Sequence, residues 1–204
     1  RLPRRHAAAL GSCLLLRVAV QVFLIRHPRP LVGAGICYGQ LDVEAEDPQP
    51  TADRLRALLP AGTPVVASPL RRSRRLAEAL HAQPLFDRRL MEIDFGEWEG
   101  RCWDQVERAL LDAWAADVLH FSPPGGESAA MLQARVIDCF SDCVAELRAP
   151  SVALVSHAGA IRAALGHWLQ LPVDEWSQLA LDLGSVTLID VEPGAAAVLR
   201  FINR

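Results

Sequence analysis

Lysine is missing altogether from this chain of 204 residues: all 21 basic side chains are Arg, set against 24 acidic ones for a formal net charge of -3. Without a Lys amine, Schiff-base chemistry, pyridoxal-dependent catalysis and a Walker-A phosphate loop are excluded. The cations that remain are planar, permanently charged and suited to gripping oxyanions. Asn occurs once, at Asn203, in a chain dominated by Ala and Leu, which is the composition of a GC-rich coding sequence. Cys is scarce too. Its five copies (13, 37, 102, 139 and 143) make an odd number with no CxxC pair, so neither a disulfide framework nor a zinc ribbon is indicated, and a reducing, cytoplasmic setting is expected. An uninterrupted membrane-length apolar run is also lacking. Residues 7–25 come nearest, but a span there would bury Arg17 and end on Arg26-His27.

At 51% hydrophobic and 22% charged, the sequence has enough apolar content for one globular domain. Residues 1–16 read as an N-terminal extension outside the core and 17–204 as a single domain. A signal peptide is not favoured, because the apolar run flows without a cleavage signal into VAVQVFLIRHPRP. Short apolar runs at Val18–Ile25, Pro64–Ala67 and Val152–Ser156 predict buried strands, and Phe86–Ile93 an extended segment. Helical spacing marks Thr51–Leu59 with Thr51 as cap, a segment opened by Ser68 and Pro69, Trp103–Val118, Ser128–Leu147 and the stretch ending at Leu169. Residues 185–191 and 196–202 form a hairpin pattern around Pro193 and Gly194. Strands alternating with helices predict an α/β fold, a three-layer αβα sandwich with a largely parallel central sheet.

In such sheets ligands bind beyond the carboxyl ends of the strands. Three strand ends carry chemistry: Arg26-His27 after the first, Ser68-Pro69 with Arg71 and Arg72 after the second, and His157 after VALVS. One His after a strand is more often structural than catalytic, but two at equivalent ends, each with an Arg in reach, point to a site for an anion. The RRSRR run at 71–75 is not a nucleic-acid patch, because helical spacing spreads it around the axis; only Arg72 is expected to face the pocket. The five Trp read as packing residues, with Trp98 and Trp103 near enough to the acidic run at 92–99 to line a substrate mouth.

With these residues in view, the chain resembles the histidine phosphatase superfamily, in its phosphoglycerate-mutase-like branch. The family's RHG motif stands as LIRHPRP, SPLxR as SPLRR, ExxxGxxEG as LMEIDFGEWEG, PxGES as PPGGES and SHGG as VSHAG, in family order from residue 22 to about 165. The YGQLD and DFGEWEG forms are most similar to α-ribazole phosphatases. The resemblance implies hydrolysis of a small phosphomonoester, α-ribazole 5'-phosphate in cobalamin nucleotide-loop assembly, through a phosphohistidine on His27. It implies Arg26 and Arg72 as phosphate clamps and His157 as both a phosphate donor and a catalytic partner. Glu92 follows as the general acid, four residues before Gly96; Asp94, Glu97 and Glu99 are its rivals. Arg29, Tyr38 and Glu127 are candidate substrate contacts, Glu127 holding either Arg26 or a substrate hydroxyl. No cofactor, metal, nucleic acid or membrane is implied, and the oligomeric state, monomer or dimer, stays open. Alternative readings are a broad-specificity phosphatase, a mutase-like enzyme and a catalytically inactive interaction module. The stretch RCWDQVERALLDAWAADVLH lacks the Lys and paired Arg of the mutases, which favours hydrolysis. The family pattern is broken by Pro28 in place of Gly and by Pro30 in place of a hydroxyl residue, so phosphate donors are lost and Arg29 is the expected substitute, turned inward.

Overall fold

A computed structural model describes residues 19–192 and 195–204. The expected extension at 1–16, the strand start at Val18 and the Pro193-Gly194 turn lie outside the described residues. Six strands form one sheet in the order β3-β2-β4-β1-β5-β6: β1 Val20–Arg26, β2 Val65–Ala67, β3 Leu85–Phe86, β4 Ser151–Ser156, β5 Val186–Val191 and β6 Val198–Phe201. The first four are parallel, while β5 and β6 run antiparallel at one side, as the hairpin pattern requires.

Every residue of β4 is buried, as a strand covered on both faces must be. The period-two alternation of β1 sends its side chains to two separate cores. Val22 and Leu24 join Val152, Leu154 and Ile189 against helices α4 (Ala129–Leu147) and α5 (Ala158–Trp168), through Leu132, Val136, Phe140 and Ile161. Phe23 and Ile25 join Ala153, Val155 and Val186 against α1 (Gln49–Arg56) and α2 (Arg71–Leu80), through Ala52, Leu55, Leu76 and Ala77. The result is the expected three-layer α/β sandwich. A smaller aromatic cluster of Phe95, Trp98, Trp103, Trp114 and Phe121 packs beside it, including α3 (Arg108–Ala116).

Several element limits differ from the sequence reading for local reasons. The extended segment expected at Phe86–Ile93 pairs only at Leu85–Phe86 and then enters a 3-10 turn at Arg88–Leu90, because Asp87 accepts the Arg89 amide at 2.8 Å. The helix expected from Trp103 is broken into a 3-10 turn and α3, since Gln105 reaches back to accept the Cys102 amide at 3.2 Å. Ser68 and Thr51 are not the caps of their helices; α2 starts after Leu70 and α1 after Pro48. A short helix after Pro172, α6 (Val173–Trp176), was not anticipated from spacing. No helix among the described residues is long and apolar enough to cross a membrane.

Candidate active site

Strand register brings the site together. Arg26 in β1 lies opposite Ser156 in β4, so His27 and His157 leave the sheet at the same level; Ala67 lies opposite Val155, which sets Ser68 beside them. The two imidazoles are both buried, with ring centroids 5.0 Å apart.

His27 Nδ1 lies 2.6 Å from the Pro28 carbonyl oxygen. A carbonyl only accepts, so Nδ1 carries the proton and Nε2 presents a lone pair. The proline that removes an amide donor therefore also fixes the tautomer a nucleophile needs. Burial, and then the charge of Arg72, push the His27 pKa down to about 3; the Pro28 bond opposes the shift and Arg26 adds to it. The imidazole is neutral at physiological pH.

Arg72 is fully buried in α2 and is held by backbone oxygens of the YGQLD segment, Gly39 O and Leu41 O, the latter at 2.9 Å. The Tyr38 ring centroid lies 5.4 Å from the Arg72 guanidinium carbon. Arg72 Nε donates to His157 Nδ1 at 3.2 Å, so His157 carries its proton on Nε2, which donates to Ser68 Oγ at 2.8 Å. The His157 N–H expected to reach phosphate is engaged here: one ring nitrogen accepts from Arg72, and the other donates to Ser68. Burial, Arg72 and His27 hold the His157 pKa well below the ordinary value. Arg26, half-buried at the end of β1, donates through one terminal nitrogen to Leu181 O, while its Nε is buried with no protein partner.

Glu92 reaches the site from the loop after β3. Its Oε2 accepts the Gly159 amide in the first turn of α5 at 3.0 Å, and its Oε1 accepts the Ile93 amide at 2.9 Å. Gly at 159 leaves room for this seat: a Cβ there would meet Glu92 Oε1 at 2.3 Å and push the carboxylate aside. Of the rival acids, Asp94 caps Gly96 and Glu99 bridges the amides of Gln40 and Phe95, so both are spent on loop structure; Glu97 is exposed.

Two expected placements are corrected, Glu127 on Arg26 and Arg29 turned inward. Glu127 does not hold Arg26; it pairs with Arg135 and accepts the Asp94 amide at 3.0 Å. Arg29 does not turn inward. Its side chain is 68% exposed and faces Glu46 at 3.6 Å, because the backbone of residues 29–31 pairs with 44–46 and points it away from His27. Tyr38 stays at the site through Arg72. Beyond Arg72, the RRSRR run is solvated as anticipated: Arg71 and Arg75 meet Glu44, and Arg74 meets Glu78.

Sequence reading missed Arg135. From α4 it donates to the carbonyls of Arg89, Met91 and Glu92 at 2.7–2.8 Å while pairing with Glu127, which pins the backbone that carries the acid. A signal existed: Arg135 stands between Leu132 and Val136 on the buried stripe of α4, where a lone Arg needs a reason. Arg162, one turn beyond Gly159 in α5, was missed as well.

Two neutral imidazoles, two guanidiniums without an ion pair among the described residues and a carboxyl held on backbone amides can receive a phosphoryl dianion and attack it. A family model for the histidine phosphatase superfamily, branch 1, matches residues 22–204. A glucosyl-3-phosphoglycerate phosphatase from Mycolicibacterium vanbaalenii is 32% identical over 89% of this chain and 91% of its own length. Among solved structures, a mycobacterial glucosyl-3-phosphoglycerate phosphatase in complex with inorganic phosphate superimposes with a TM-score of 0.77, at 26% identity over 91% of this chain and 98% of its own. A putative α-ribazole-5'-P phosphatase from Escherichia coli shares the fold, with a TM-score of 0.78 at 24% identity over 91% and 97% of the two chains. The sheet register that aligns the two His, the arginines beside them and the match across nearly all the described residues make this chain a member of the histidine phosphatase superfamily, branch 1.

Proposed function

We propose that residues 17–204 form one phosphomonoesterase domain that works through a phosphohistidine at His27. The observation that carries it is the fixed tautomer: with Nδ1–H donated to Pro28 O, the Nε2 lone pair is free and unprotonated. That lone pair forms the P–N bond as the ester P–O bond breaks. Glu92 gives its proton to the leaving oxygen, then takes one from the water that breaks the P–N bond and releases phosphate. Arg26 and Arg72 neutralise the phosphoryl oxygens, and the His157 N–H passes from Ser68 to a third oxygen as charge gathers there.

The substrate expected from sequence, α-ribazole 5'-phosphate, is supported by the YGQLD and DFGEWEG forms. The polar backbone of YGQLD, however, is occupied in clasping Arg72, and Gln40 Nε2 donates to Glu92 O at 3.1 Å. These contacts serve any phosphomonoester. A second reading, an ester of a phosphorylated sugar acid, is favoured by the relative at 32% identity.

The decisive experiment is His27→Ala assayed on phenyl phosphate in chelator, with ³²P labelling of the wild type. We expect acid-labile label on the wild type and a loss of at least ~100-fold in rate for the variant. Full activity without His27 ends the proposal.

A further inference from the structure

We propose that Arg162, set beside the phosphate-clamping Arg26, forms a second anion subsite that receives a carboxylate on the leaving alcohol of the substrate. This rests on the phosphomonoesterase reading above and adds the substrate class to it.

Residues 159 and 162 are neighbours on one face of α5. The Glu92 carboxylate sits on the Gly159 amide, so Arg162 flanks the group that must face the leaving oxygen. Arg162 Nε and one terminal nitrogen donate to Leu179 O at 3.3 and 3.1 Å, and Arg26 donates to Leu181 O. The strip 179–181 thus sets the two guanidiniums side by side along the wall of the site. Burial lowers the Arg162 pKa, Arg26 acts in the same direction, and Glu92 opposes them.

The charge count singles this residue out. Among the described residues, neither Arg26 nor Arg162 joins an ion pair, whereas Arg89 and Arg135, the other half-buried arginines nearby, are both paired with carboxylates. Arg162 keeps its second terminal nitrogen without a protein acceptor among those residues. A phosphoryl dianion is matched by Arg26 and Arg72. Glu92 must carry a proton to act as the acid, so it offers Arg162 no charge until that proton leaves. One cation is left over on the leaving-group side, and a carboxylate is the group whose two oxygens fit a guanidinium fork.

The test compares 3-phosphoglycerate with its methyl ester, which differ by one charge, on wild type, Arg162→Gln and Arg162→Lys. We expect the wild type to prefer the free acid by tenfold or more in kcat/KM. Arg162→Gln should erase that preference, chiefly through a higher KM for the acid, and Arg162→Lys should restore part of it. The ratio is taken on one preparation, so partial unfolding cancels. No preference in the wild type, or an equal fall on both esters in Arg162→Gln, overturns the subsite. Phenyl phosphate, hydrolysed in a His27-dependent way, separates that failure from a failure of the phosphatase reading: turnover of phenyl phosphate with no acid preference sinks the subsite alone, and no turnover of any ester sinks both.

Discussion

Adding one methyl group at position 159 should separate the stability of this protein from its chemistry. In Gly159→Ala the new Cβ would lie 2.3 Å from Glu92 Oε1 and 3.1 Å from its carboxyl carbon, where contacts under 3.0 Å do not survive. The carboxylate must therefore retreat by at least 3.0 minus 2.3, or 0.7 Å. The obstacle is the end of a flexible side chain, not backbone, so the fold accommodates it. Alanine is about 1 kcal/mol more favourable than Gly within a helix, while weakening the charged hydrogen bond from the Gly159 amide costs about 1.5–3 kcal/mol. Net destabilisation of about 0.5–2 kcal/mol corresponds to a drop in Tm of roughly 1–8 °C for a chain of this size. The proposed acid, by contrast, is displaced by nearly an ångström, a misplacement that costs on the order of 100-fold in rate. The assay is kcat for an alkyl phosphate, whose leaving oxygen needs the proton, beside p-nitrophenyl phosphate, whose leaving group needs it far less. The alkyl ester should slow by about 100-fold and the nitrophenyl ester by under about tenfold. Unchanged alkyl turnover in a folded Gly159→Ala protein would refute the seat assigned to Glu92.

Arg135→Met should cost about 3 kcal/mol, because it strands a Glu127 that is 9% exposed and otherwise shares its charge with Arg135, and it should lower kcat at least ~10-fold by loosening the carbonyls of 89–92. Adding Glu127→Gln should recover stability but not kcat; recovery of both in the double variant would show that Arg135 has no positioning role. Acid pH should also destabilise the fold through the buried imidazoles. The folded pKa of His27, about 3, lies below its unfolded value near 6.5, so the unfolded chain takes up the proton between them. The contribution is complete above about pH 6.5 and erodes as pH falls toward 3, at about 1.4 kcal/mol per pH unit, with His157 acting in the same direction. Urea unfolding between pH 7 and 4 should therefore show a shallower loss in His27→Gln than in wild type, and parallel curves would contradict a neutral buried His27.

The sandwich and much of the site were legible because they are written in short-range patterns. A run such as Ser151–Ser156, apolar between its two serines, has few options but a strand buried on both faces. Residues following such strands inherit their position from sheet register, which is why Arg26, His27 and His157 could be named from the sequence alone. Arg72 was legible as well, since helical spacing sets it apart from the exposed Arg71, Arg74 and Arg75. Where local side chains compete with the pattern the reading failed: Gln105 folding back on Cys102 breaks a helix that periodicity alone continues.

What the sequence determined by itself is the set of groups available to the proposed chemistry: an imidazole with a proline carbonyl next to it, arginines in place of every lysine, and a glutamate beside a glycine-bounded turn. Tertiary structure decided which of them are free to act. Glu127 and Arg29 had the right chemistry but found partners in Arg135 and Glu46, while His157 divided its nitrogens between Arg72 and Ser68. Arg162 found only the Leu179 carbonyl, and joins no ion pair among the described residues. The physical reason is that a charge's role depends on its counter-ion. Those pairings join residues up to 89 positions apart, a separation that no local pattern encodes.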